Sequence, residues 1–329
     1  MLPTVSILVP AYNAERWIAE ALESALAQTW KQTEIIVVDD GSRDQTRLVA
    51  DRYQSAGVKV FHQQNEGSAA ARNHAFAESR GDFIQYLDAD DLLSPDKIAE
   101  QVELLQRNPP RMLAVSPWTY FFDGQAPAEG RAQDQWPVAD CDDPVNFLVE
   151  LMGPNGQFAE VPPGAWLTPR SLAAKAGAWD HLRSPDDDGL YFARVVLASA
   201  GIRRSPHGRF YYRKHPQGGS LTSTRSQQLV RGAFATTDLK VKLLLARTQE
   251  PRAKSAAVHA YMHRAFEAYP FCAEVTDMAL QRVRELGGTS FVPPFPTWKG
   301  QLLSRLIGWK AAKRAQTWWH AWLRAQSPS

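Results

Sequence analysis

The chain has 329 residues, 44 % of them apolar, with 20 glycines and a formal charge of +2 from 37 basic and 35 acidic side chains. This size holds one large domain or two ordinary ones, and the composition excludes intrinsic disorder, collagen-like repeats and, with only Cys141 and Cys272 present, a disulfide scaffold. The near-neutral balance gives no case for nucleic-acid binding, the two distant cysteines suit a reducing, cytoplasmic compartment, and no stretch nears the ~20 apolar residues of a membrane span.

Val5–Val9 reads as a buried strand stopped by Pro10, too short and without the basic leader of a signal peptide. Asn13 is placed to cap a helix whose apolar stripe is Ile18, Ala21, Leu22, Ala25 and Leu26. Ile35–Val38 is a second strand, closed by Asp39-Asp40-Gly41-Ser42, and a helix from about Asp44 to Ala56 leads to a strand at Val58–His62. The alanine-rich Gly67–Ser79 is helical and Phe83–Leu87 is a fourth strand. Ser94 is expected to cap a helix with Pro95 at its first position and Ile98, Val102 and Leu105 inward. Strands separated by helices imply right-handed crossovers and an α/β fold with a doubly wound, mostly parallel sheet. Met112–Ser116 continues the strand pattern, Asp123–Pro144 reads as a surface excursion, and Gly208–Arg213 is a late strand. From Ser226 onward the pattern is helical, broken near Pro251, Pro270 and Phe291–Pro296, so a domain boundary is expected near Leu221.

In an open parallel sheet, ligands bind beyond the carboxyl ends of the strands. Two acidic clusters fall there, Asp39-Asp40 and Asp88-Ala89-Asp90-Asp91. Capping and turn formation explain one such aspartate, and two clusters at one sheet end less readily. Carboxylates at i and i+2 on an extended segment suit Mg²⁺ or Mn²⁺, with substrate phosphates completing the shell. Arg72 follows Gly67 at a helix entrance, where a guanidinium and the helix amino end both favour phosphate. Asp186-Asp187-Asp188 either offsets a helix dipole or supplies a general base. His215, after a strand and before Gln217-Gly218-Gly219-Ser220, is placed to reach the metal or a diphosphate. No GxGxxG follows the first strand, which excludes a dinucleotide fingerprint.

Taken together, Val9-Pro10-Ala11-Tyr12-Asn13, Val38-Asp39-Asp40-Gly41-Ser42-Arg43-Asp44, Asn65-Glu66-Gly67 with Ala71-Arg72-Asn73, and Gly81-Asp82-Phe83-Ile84 leading into Asp88-Ala89-Asp90-Asp91 resemble the inverting family 2 glycosyltransferases of the GT-A fold. The resemblance spans about Val5 to Ser220, where Tyr212-Arg213-Lys214-His215 matches the usual end of the catalytic domain. It implies a nucleotide-sugar donor, UDP being the commonest nucleotide, and a divalent metal. Pro10, Asp40, Asn65 and Arg72 would contact the nucleotide, Asp88 the ribose and Asp90 the metal. The family usually sets Glu-Asp seven and six residues before an arginine; here Arg194 puts Asp187-Asp188 in that register. Asp188 is therefore the expected base, with Asp187 as the alternative. The Gln-x-x-Arg-Trp pattern of processive synthases is absent, which favours addition of one or a few sugars to a hydroxyl of a glycan, lipid-linked or other cell-envelope acceptor. Trp166 and Trp179 are either acceptor-stacking faces or core. The rival readings are a sugar nucleotidyltransferase, which lacks its Gly- and Lys/Arg-rich loop here, and a non-catalytic sugar-binding relative.

Charge is uneven along the chain. Trp298–Ser329 holds six basic residues, no Asp or Glu, and five of the 11 tryptophans, leaving 31 basic against 35 acidic residues before it. Helical spacing sets Leu302, Leu303, Leu306, Ile307 and Trp309 on one side of a first segment. In a second, Ala311, Ala315, Trp318, Trp319 and Trp322 oppose Lys310, Lys313, Arg314 and Arg324. Residues 298–324 are expected either to touch an anionic membrane surface or to fill a core or self-association contact.

Overall fold

The computed structural model describes residues 2–133, 139–215 and 226–326. They divide into two compact units, Met1–Leu148 with Ala159–Leu182 and Asp186–Thr224, and Val149–Phe158 with Arg183–Pro185 and Arg225–Ser329. The expected boundary at Leu221 and the Gln217–Ser220 segment lie outside the described residues.

The first unit opens with β1 (Val5–Ala11), α1 (Ile18–Leu26), β2 (Thr33–Asp39), α2 (Thr46–Asp51), β3 (Lys59–His62), α3 (Ser68–Glu78) and β4 (Phe83–Tyr86). It continues through β5 (Leu92–Leu93), α4 (Lys97–Gln106), β6 (Met112–Val115), β7 (Trp118–Phe122), β8 (Arg131–Gln133) and α5 (Pro144–Leu151), whose last three residues fall in the second unit. The last elements are β9 (Trp166–Pro169), α6 (Arg170–Ala176), α7 (Asp187–Ala198), β10 (Gly201–Arg204) and β11 (Phe210–Lys214). Seven strands form one sheet in the order β10-β6-β9-β4-β1-β2-β3. All its pairings are parallel except those of β9, which runs antiparallel to both β4 and β6. Strands β1 and β2 are near-continuous apolar runs because both faces of a parallel sheet are covered; Ile7, Leu8, Val9, Ile36, Val37 and Val38 are fully buried.

Several local expectations differ from what the chain does. Asn13 does not cap α1: its backbone is left-handed, with φ 49°. Its Oδ1 accepts from the Arg43 amide at 2.9 Å, so it ties the β1 exit to the β2 exit. Ser94 does not cap α4 either, because Oγ donates to Asp96 Oδ1 at 2.7 Å and accepts from the Arg209 amide at 2.8 Å. The stretch expected as a surface excursion contains β8, which pairs with β7 in a second sheet of order β5-β11-β7-β8. Lys97 is fully buried in α4, donating to Gln85 Oε1 at 2.5 Å and Gln101 Oε1 at 2.7 Å. Burial alone drives its pKa well below the ordinary lysine value.

The second unit is helical: α8 (Gln227–Leu245), α9 (Pro251–Ala268), α10 (Ala273–Glu285), α11 (Trp298–Ile307) and α12 (Trp309–Gln326). Ser226 Oγ caps α8 by accepting from the Leu229 amide at 3.2 Å, and Pro251 opens α9, where a missing N–H is tolerated. Asp238 on α8 binds these helices together, accepting from Tyr261 Oη at 2.8 Å and Arg282 Nε at 3.0 Å.

Candidate functional site

The carboxyl ends of β1, β2 and β4 lie side by side, since β1 pairs with both neighbours. At the β2 exit the Asp40 carboxylate accepts three hydrogen bonds, from Gln63 Nε2 at 2.7 Å and the amides of Glu66 at 3.0 Å and Gly67 at 2.8 Å. Asn65 Nδ2 returns a bond to the Asp40 carbonyl at 2.9 Å. Asp40 and Asn65 thus fold the loop 63–67 against the β2 exit. Gly41 makes this approach feasible: its φ is +71°, and a Cβ there would stand 2.8 Å from the Asn65 nitrogen. Pro10 is buried within β1 opposite Val38.

Helix α3 enters from Gly67 and packs on β1 and β2 through buried Ala69, Ala70, Ala71 and Ala75, whose small side chains admit the close approach. Arg72 leaves this helix almost fully buried. Its Nη2 lies 2.9 Å from Asp88 Oδ1 and its Nη1 3.4 Å from Asp187 Oδ2. The guanidinium carbon sits 4.4 Å above the Trp179 ring, which stacks on Tyr191 at 4.1 Å. Burial opposes this charge, and Asp88 and Asp187 more than offset it, so Arg72 is held firmly protonated. Asn73 fixes the stack by exchanging hydrogen bonds with the Trp179 backbone, at 3.0 and 2.8 Å.

Asp187 and Asp188 open α7 with different surroundings. Asp187 faces Arg72, whereas Asp188 Oδ1 accepts from the Gly189 amide at 2.8 Å and makes no ion pair among the described residues. Burial, then the charges of Asp187 and Asp186, push the Asp188 carboxyl well above the usual carboxylate range. Burial raises Asp187 as well, against the pull of Arg72. The Arg72 charge acts on Asp188 without a direct ion pair and offsets this rise only in part, and a carboxylate raised in this way is suited to take a proton.

Past β4, Asp90 Oδ2 lies 2.7 Å from His215 Nε2, a contact that raises the histidine pKa against the effect of burial. Asp91 is buried, accepting from the Arg213 amide at 2.8 Å, and burial with Asp90 and Asp88 raises its pKa well above the ordinary value. Tyr212 shares this environment: burial and the charges of Asp91, Asp88, Asp90 and Asp188 all disfavour its phenolate. Asp90 and His215 offer a hard oxygen and an imidazole, and the mutual repulsion of the acids is what a divalent cation relieves. No group of three protein donors with metal-binding geometry occurs among the described residues. Asp90 and His215 are thus two donors, and an ion held there would take the rest of its shell from substrate and water.

The support beneath this cluster comes from residues whose roles carry no signal in the sequence. Arg213 bridges Asp123 at 2.8 Å and Glu20 at 2.7 Å, and its Nε donates to the Asp90 carbonyl at 2.8 Å. Trp17 donates to Asp123 at 3.1 Å and lays its ring 4.6 Å from that of His215. No local pattern marks Asp123, which sits in a stretch rich in turn residues. Trp166 and Trp179 need correction as acceptor faces. Both are 1 % exposed, Trp166 stacked on Phe192 and Trp179 between Arg72 and Tyr191, so neither presents a ring to a sugar.

Residues 6–138 match the family Glycosyl transferase family 2. An uncharacterized glycosyltransferase of Rickettsia typhi is 42 % identical over 107 residues, 32 % of this chain and 33 % of that protein. The putative glycosyltransferase EpsH of Bacillus subtilis is 44 % identical over 96 residues, 29 % of this chain and 28 % of EpsH. The chain thus matches only about a third of the length of these curated relatives. Among solved structures, S. aureus TarS 1–349 in complex with UDP-GlcNAc superposes with a TM-score of 0.60 at 17 % identity, covering 88 % of this chain and 93 % of TarS 1–349. At that identity the likeness speaks for a shared fold.

Proposed function

We propose that this chain, whose residues 6–138 belong to glycosyltransferase family 2, is an inverting, non-processive glycosyltransferase that takes its sugar from a nucleotide-diphosphate donor. Its acceptor is a hydroxyl of a glycan, lipid-linked or other cell-envelope molecule. The observation that carries the reading is the arrangement around Arg72. One buried guanidinium joins the strand-end Asp88 to Asp187, and beside Asp187 stands Asp188, raised by burial and without an ion pair among the described residues. UDP is the proposed nucleotide, supported by the TarS complexes with UDP-GlcNAc and UDP.

In this mechanism the loop held by Asp40 and Asn65 seats the nucleotide beside Pro10, and Asp88 meets the ribose. Arg72 orients Asp88 and contributes positive charge near the diphosphate. Asp90 and His215 would hold Mn²⁺ or Mg²⁺, which when bound neutralises charge on the leaving diphosphate. Asp188 accepts the proton of the acceptor hydroxyl while that oxygen attacks the anomeric carbon from the face opposite the leaving group, so the centre inverts. General-base catalysis of this kind contributes about 10²–10⁴-fold.

A melting screen with UDP-, GDP- and dTDP-sugars in Mn²⁺ tests the donor, because a bound ligand raises apparent stability by mass action. A UDP-sugar is expected to raise the midpoint and to be slowly hydrolysed, releasing the sugar with inverted anomeric configuration by NMR. Absence of any midpoint shift with all three nucleotides, or release with retained configuration, overturns the reading.

A further inference from the structure

Helix α11 carries an apolar row that nothing in its own unit covers. Trp298, Leu302 and Leu306 recur at i, i+4 and i+8, so they stand one above another on one side. They are 73 %, 50 % and 73 % exposed. At about 100° per residue, Lys299 and Arg305 fall on the two flanks of that row. Helix α12 does the anchoring instead. Ala312 is buried, Trp309 lies 5.9 Å from the Phe266 ring and 5.4 Å from that of Tyr269, and the Lys313 amine sits 3.6 Å from the Phe266 centroid. Lys313 is therefore turned inward against Phe266 of α9, whereas Lys310 stands beside Tyr269 at the open end of that contact.

Between the two helices the chain bends at Gly308, whose φ is 79°. A hollow of about 640 Å³ opens at this elbow, with Tyr269, Trp309, Lys310 and Arg314 among its walls. Two cations over aromatic walls suit a phosphate headgroup. Trp318, one turn beyond Arg314, is 67 % exposed.

Charge decides the occupant. From Trp298 to Ser329 there are six basic residues and no carboxylate side chain. A second copy docking through the same row by a two-fold axis brings Lys299 and Arg305 against their own counterparts, which repel. A nucleic acid offers anions but no apolar layer for a row of Trp and Leu. An anionic bilayer offers both, headgroup phosphates above and hydrocarbon a few ångströms below. We infer that α11 and the elbow dock on an anionic membrane surface, with Trp298, Leu302 and Leu306 entering the headgroup boundary and Lys299, Arg305 and the elbow cations meeting lipid phosphates. Attachment through ten residues is shallow and reversible, and it stands independently of the donor chemistry.

Vesicle flotation of the full chain tests this, with phosphatidylcholine alone or mixed with a third phosphatidylglycerol, at low and high salt. The wild type is expected to float with the anionic vesicles at low salt and much less at high salt. Trp298→Ser/Leu302→Ser/Leu306→Ser abolishes flotation, and Lys299→Glu/Arg305→Glu lowers it by at least about tenfold. All five positions are exposed, so both variants keep the wild-type melting midpoint. Failure of the wild type to float, equal flotation of both variants, or equal flotation on phosphatidylcholine alone overturns the inference. So does a wild-type dimer that the apolar triple variant dissolves, which assigns the row to self-association.

Discussion

Arg72 Nη1 lies 3.4 Å from Asp187, while Asp188 has no ion pair among the described residues, so amide replacement separates the two acids. Asp188→Asn preserves shape and removes the proton-accepting oxygen. It is expected to leave donor affinity unchanged and to lower kcat by about 100-fold or more. Asp187→Asn removes one of the two counter-charges of a buried guanidinium, so it lowers the melting midpoint and weakens donor binding. The base must be ionised to act, and burial with neighbouring acids raises the Asp188 pKa. The acid limb of kcat/KM therefore falls above the ordinary aspartate value of about 3.9, and activity rises with pH through that limb. A large loss in Asp187→Asn with an unchanged midpoint, and none in Asp188→Asn, assigns the base to Asp187. Asp90→Ala leaves His215 without its 2.7 Å partner. It is expected to abolish the Mn²⁺-dependent midpoint shift caused by donor, while the metal-free stability changes by no more than about 1 kcal/mol. An undiminished shift removes Asp90 from the metal site.

At the scale of elements, Glu34 in β2 shows how strand ends are stitched. Its Oε1 accepts from Ser6 Oγ at 2.7 Å and the amides of Arg80 at 2.5 Å and Gly81 at 3.0 Å, and Oε2 meets Lys59 at 3.0 Å. Burial opposes the charge, and these donors overcome it, lowering the pKa from 4.5 to about 2. The folded carboxylate thus holds its proton less tightly than the unfolded one. Its stabilisation is full above pH 4.5 and is lost as pH falls toward 2. Glu34→Gln is expected to lower stability at pH 7, with the gap from wild type closing through that window in urea titrations. A gap constant from pH 7 to pH 2 contradicts the assignment. The parallel strands β1, β2 and β4 were legible because buried parallel strands are written as unbroken apolar runs. Caps were not: Asn13 and Ser94 have the right chemistry, and distant partners, Arg43 and Arg209, engage them first. Strand β8 was hidden because Arg131-Ala132-Gln133 has neither β-branched residues nor alternation, and β7 supplies its pairing.

Across the whole molecule, what the sequence concealed was which distant parts meet. The acids at the ends of β2 and β4 announce themselves through position, but the pairing of Arg72 with Asp187 spans 115 residues and that of Asp90 with His215 spans 125. Burial of Trp166 and Trp179 was equally unreadable, since a tryptophan in a sugar groove and one in a core have the same local context. The residues that match the family, 6–138, contain Arg72, Asp88 and Asp90 but neither Asp188 nor His215. The same division runs through the large sheet. Strand β9 sits between β4 and β6, and the partner of Phe83 in β4 is Pro169. On a ribosome the edge of β4 is thus finished long before its neighbour exists. At about 5–20 residues per second the wait is roughly 4 to 17 s, during which a buried-type strand shows its open edge to other nascent chains. Slow translation between these two strands prolongs that exposure, so slower codons between residues 86 and 169 are expected to lower the soluble yield of the chain, measured by expression of synonymous variants.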